Sequence, residues 1–85
     1  MPTTIESRHG ILITREGALA ALHFFGDPAG RDPGTFASDL MALMGKADPS
    51  NRARLVEAFP EIGHAFLAGK SARDGIEMLR QVVTA

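Results

Sequence analysis

Eighty-five residues make one domain, residues 1–85, whose small core leaves modest stability. There is no cysteine and hence no disulfide, while 45% hydrophobic and 22% charged residues favour a folded chain over a disordered one. A net charge of −1, with only nine Lys and Arg spread thinly, argues against a basic surface for non-specific phosphate binding, and no apolar run approaches a membrane span.

The first ten residues are polar, with Pro2, two threonines and Gly10, and Glu6 stands where a secretory leader carries cationic and then apolar residues. No signal peptide is expected, and the expected location is cytoplasmic. Ile11-Leu12-Ile13 is a short β-branched run. It reads either as the end of an extended arm tucked into the core or as a strand paired with 3–7 through a turn at His9-Gly10. The arm, residues 1–13, is the plainer reading, because an isolated two-stranded hairpin is marginal in water.

The helical core is expected over 14–85. Thr14 is placed to cap a first helix over 15–25, with Ala18, Leu22 and Phe25 on one face. Gly26-Asp27-Pro28 stops it, and the Gly-, Pro- and Asp-rich stretch 26–34 reads as a loop. Asp32-Pro33 is expected to open a second helix ending near Gly45, burying Phe36, Leu40, Leu43 and Met44. Asp48-Pro49 opens a third, with Leu55, Val56 and Phe59 apolar. Pro60 would remove a backbone bond from a continuous helix, so a break and a fresh turn are expected, with Ile62, Ala65 and Phe66 inward and Gly69 as the stop. Ser71 with Asp74 resembles a capping box for a last helix bearing Ala72, Ile76, Leu79 and Val83 on one strip and Met78 and Val82 on a second. The expected fold is therefore mainly all-α, a compact bundle of four to five short helices with an extended or short β N-terminal arm.

Motifs that carry chemistry are sparse. Gly69-Lys70-Ser71 resembles the end of a phosphate-binding loop, but His64 occupies the position of the first required glycine and the preceding residues look helical. Glu6–His9 and Glu61–His64 have the Glu-x-x-His spacing of carboxylate-bridged metal sites, yet the first falls outside the expected helices and the second suits a helix N-terminus. No metal or other cofactor is expected, and a metal-binding helical protein using Glu61 and His64 is the least favoured alternative. His23 reads as a partly buried histidine. No serine has a discernible base and orienting acid, so no catalytic residue is assigned and an enzyme is not expected. Arg52 and Arg54, at the start of the third helix, are the candidates for phosphate contact in an alternative reading as a DNA-associated regulator.

The aromatic and methionine set is more suggestive. Phe24, Met41, Met44, Leu67 and Met78 exceed what one narrow face per helix requires, and Met and Phe are favoured at adaptable interfaces, which singles out Phe24, Met41, Met44 and Met78. They are the expected partner-binding residues, serving a protein partner or a second copy, since oligomerisation is the help most available to a small domain without disulfides.

The stretch Lys46-Ala-Asp-Pro-Ser-Asn-Arg-Ala-Arg-Leu-Val-Glu-Ala-Phe-Pro-Glu61 resembles a segment recurring in small proteins of actinobacteria and their phages, with the pattern Asp-Pro-x-Asn-Arg-x-x-Leu followed by Phe-Pro-Glu. The resemblance implies a phage-encoded accessory protein that acts by binding a host or phage protein. It brings no residue roles with it. The expected function is a small non-enzymatic protein–protein interaction module.

Overall fold

The computed structural model describes residues 4–6 and 12–84. Two short strands, β1 (Thr4–Glu6) and β2 (Leu12–Thr14), pair antiparallel with Ile5 opposite Ile13. Five helices follow: α1 (Arg15–Phe24), α2 (Thr35–Lys46), α3 (Pro49–Ala58), α4 (Pro60–Ser71) and α5 (Gly75–Thr84). The fold is a mainly α-helical bundle with a β pair at its N-terminal end. The strand pair, and not the simple arm, is what forms; the turn at His9-Gly10 lies outside the described residues. Ile13 supplies the reason the pair persists, because its side chain is buried in the helical core.

Two helix starts follow from their capping residues. The Thr14 side chain accepts from Gly17 N at 3.0 Å, and Asp48 Oδ1 accepts from Asn51 N at 2.8 Å with Pro49 in the first turn. Phe59 separates α3 from α4, with Pro60 opening the new helix, so the chain breaks at the proline as its missing N–H requires.

Other starts and stops differ from the sequence reading. Asp32-Pro33 does not open α2; Asp32 Oδ1 accepts from Gly34 N in a local turn, and the helix begins two residues later with Gly34 as a cap at φ +95°. Gly69 does not end α4, which continues to Ser71. A methyl group at Gly69 would lie 2.6 Å from the Phe25 ring and 2.9 Å from Leu79, so this glycine serves close packing and not termination. Ser71 and Ala72 close α4, and α5 starts at Gly75, with the Asp74 carbonyl accepting from Met78 N at 2.9 Å.

Helix α4 is the hub and packs against α1, α2, α3, α5 and β2. Its Phe66 is fully buried, stacked on Phe25 with ring centroids 5.6 Å apart and met edge-on by Phe24 at 5.6 Å. Aromatic pairs of this kind contribute about 0.5–1.5 kcal/mol each beyond area burial. Around Phe66 the core gathers Leu22, Leu40, Met41, Met44, Leu79 and Val82.

Candidate interaction surface

Three of the four residues expected to bind a partner are core residues. Met41 and Met44 have no exposed surface, and Met78 retains 9%. The two apolar strips of α5 are wide because that helix is deeply packed, and methionine here fills irregular space inside the bundle. Phe24 differs. It is 37% exposed while its ring touches Phe25 and Phe66.

The reason for the exchange lies on α2. At about 100° per residue, Phe36 and Met41 project about 140° apart and cannot share one narrow face. The sequence reading turned Phe36 inward. The structure turns Leu40, Met41 and Met44 inward, leaving Phe36 68% and Leu43 45% exposed. These two stand seven residues apart, on nearly the same side of α2.

Helix α3 returns antiparallel to α2 after the two-residue connection Ala47-Asp48 and presents Leu55 and Phe59 to the same side. The Phe59 ring, 40% exposed, meets Phe36 edge to face with centroids 5.7 Å apart. Toward the other end of the helix pair, Leu43, Lys46, Ala47, Asn51, Arg54 and Leu55 line an open cleft of about 450 Å³. This side of the helix pair thus carries an apolar groove, with the open cleft bordered by Lys46 and Arg54 at one end and the exposed Phe36–Phe59 pair, outside the cleft's lining, at the other.

Arg52 does not belong to this free charge. Its Nε donates to Met44 O at 2.8 Å and its Nη2 donates to Ala47 O at 2.8 Å. A guanidinium fork thus satisfies carbonyls left over at the end of α2, where a cation also suits the helix dipole. Arg15 does the same for α5, donating through Nε to Val83 O at 3.3 Å. Of the pair assigned to phosphate in the alternative reading, Arg52 is occupied in this structural role. Arg54 is exposed, with Nη1 donating to Asn51 Oδ1 at 3.2 Å.

A second open cleft, of about 580 Å³, lies on the other flank of α3 and is lined by Val56, Pro60, Leu67, Glu57 and His64 among others. Glu61 is not paired with His64 as a ligand set. Its Oε1 accepts from Thr14 Oγ1 at 2.8 Å, joining the start of α1 to the start of α4. Among the described residues no group of three or more His, Asp or Glu is placed to hold a metal ion. His9, the partner of Glu6 in the other Glu-x-x-His sequence, lies outside the described residues. His23 is exposed, not partly buried, and Gly69-Lys70-Ser71 forms the last turn of α4, the opposite end of a helix from the one a phosphate loop feeds.

Among the described residues no helix is long and apolar enough to cross a membrane. Compared with family models, with curated proteins and with solved structures, the chain matches none.

Proposed function

We propose that this protein is a non-enzymatic protein-interaction module that engages its partner through the groove between α2 and α3. The observation that carries this reading is the exposure of Phe36, Leu43 and Phe59 together on one side of that helix pair. Large apolar side chains gathered on one face of a small domain, instead of scattered singly, mark contact surfaces. Aromatic residues in particular supply large contact area at low conformational cost. The resemblance of 46–61 to a segment of small proteins of actinobacteria and their phages implies an accessory role and supports the same reading, because that segment contributes α3 and its apolar edge.

The test is co-purification from cells that encode the protein. The tagged wild-type chain carries a partner in fixed ratio, or elutes as a multimer of itself. The double variant Phe36→Ser/Phe59→Ser loses that association and keeps wild-type helicity by circular dichroism. Association that survives the double substitution refutes this surface.

A further inference from the structure

The groove has a polarity that narrows the partner. Lys46 and Arg54 are both exposed and both line the cleft at the end away from the Phe36–Phe59 pair. Among the described residues Lys46 has no ion-pair partner, and Arg54 reaches only the neutral Asn51. The acidic groups nearby are otherwise placed. Asp48 caps α3, Glu57 lines the opposite cleft, and Asp39, on α2, is not part of the lining. Along α2 from the aromatic end, exposed apolar side chains span the two turns from Phe36 to Leu43, about 10 Å, and two cations follow within the next turn.

Resting on the interaction reading above, we propose that the groove binds an amphipathic helix of a partner protein. That helix carries two or three aliphatic or aromatic residues at i, i+4 and i+7 and an Asp or Glu about one turn beyond them. The apolar residues enter between α2 and α3, as helices do in grooves of this kind. The acid meets Lys46 and Arg54 and fixes the direction in which the helix lies. Charge complementarity selects an acidic helix over a basic one, because a cation at that end would face two like charges. A protein helix is favoured over an anionic membrane for two reasons. Leu43, Ala47 and Leu55 lie in an open cleft beside the cations, and a net charge of −1 gives the whole chain no pull toward acidic headgroups.

The experiment selects helical peptides of about four turns from a display library on the 85-residue chain, with Leu fixed at i, i+4 and i+7 and all other positions randomised. Counter-selection uses the Phe36→Ser/Phe59→Ser variant. The expected pool is enriched in Asp or Glu one turn past the last Leu. A synthetic peptide from it binds the Lys46→Glu/Arg54→Glu variant about tenfold more weakly, and added salt weakens its binding to the wild type. Both variants change exposed residues, and a thermal melt verifies that each is folded.

Groove-dependent peptides without acidic enrichment, or indifferent to the charge reversal, overturn the acidic class while leaving the groove an interface. Failure to enrich any groove-dependent peptide overturns the helix-binding proposal. Two further measurements then separate the remaining occupants. Phe36-dependent binding to vesicles containing phosphatidylserine assigns the face to membrane, and concentration-dependent sedimentation as a dimer, lost in Phe36→Ser/Phe59→Ser, assigns it to a second copy.

Discussion

The rings of Phe36 and Phe59 meet edge to face with centroids 5.7 Å apart, although Phe36 is 68% exposed and Phe59 40%. A pair that is paired with itself but left open to solvent joins the beginning of α2 to the end of α3. It defines the aromatic end of the groove, and the two rings hold each other in place while both stay partly open to solvent.

Substitution on this face and in the core should therefore separate function from folding. Phe36→Ser is expected to change stability by less than about 1 kcal/mol, because most of the side chain is already in water. Met41→Ala and Met44→Ala remove fully buried side chains and are expected to cost about 2–5 kcal/mol each. Urea titration of the three variants checks the ordering. A strongly destabilised Phe36→Ser, or a neutral Met44→Ala, would reverse the assignment of inside and outside on α2.

Arg52 and Arg54 should behave as different residues despite their spacing. Replacing Arg52 by Ala leaves the carbonyls of Met44 and Ala47 without their charged donor and is expected to destabilise by about 1–2 kcal/mol. Arg52→Lys restores the charge but not the fork, so it should recover only part of the loss. Arg54→Ala should lie within about 0.5 kcal/mol of wild type. Chemical denaturation of the three variants measures all of these.

The loop after α1 is tied to α5 by charge. Asp27 accepts from Arg80 Nε at 2.9 Å and, through its other carboxylate oxygen, from Ala29 N at 2.9 Å. The hydrogen bond from Arg80, then that from Ala29, holds the Asp27 carboxyl below its ordinary value, and the same ion pair raises Arg80. A carboxyl lowered on folding adds stability in full above its unfolded value near pH 4 and loses it as pH falls through the folded value. The stability gap between wild type and Arg80→Met should thus be constant from neutrality down to about pH 5 and narrow below about pH 4. Thermal melts across pH 2–7 test this, and a gap that widens in acid contradicts it.

Gly17 should resist a substitution that helix propensity favours. Alanine is the better helix former by about 1 kcal/mol. At this position a Cβ would stand 2.5 Å from the carbonyl oxygen of Glu61 and 3.1 Å from Thr14 Oγ1, so α1 and α4 would have to separate. Gly17→Ala is expected to destabilise by about 1–3 kcal/mol, as overpacking does. A thermal midpoint raised by the substitution would show that the two helices do not cross this closely.

Legibility in the sequence tracked how local each signal was. Thr14, Asp48 and Pro60 act on their own turn of helix, so their positions alone placed three boundaries. Gly69 misled because a glycine at a helix stop and a glycine at a helix crossing look alike until Phe25 and Leu79 are brought beside it. Asp32-Pro33 misled because Asp32 makes its bond to Gly34 within the loop.

The candidate surface was the least legible part. With apolar residues at 36, 40, 41, 43 and 44, α2 offers an arc of about 160° of hydrophobic surface, and periodicity does not say which edge of that arc is buried. The neighbours decide it. Packing of α2 on α1 and α4 takes Leu40, Met41 and Met44 inward and leaves the Phe36–Leu43 edge to α3. Arg52 as a cap for α2 was equally hidden, since the carbonyl it reaches lies eight residues back. The 140° between Phe36 and Met41 is the one signal in the sequence that both cannot belong to the same face.

The proposed interaction module works with its α2–α3 face covered. The most direct measurement places a photo-crosslinking phenylalanine analogue at position 36 and, as control, at exposed Gln81 on α5, in cells that encode the protein. Irradiation should give one discrete adduct from position 36 and none of that mass from position 81. Equal yields from the two positions, or an adduct from position 81 alone, would contradict the account.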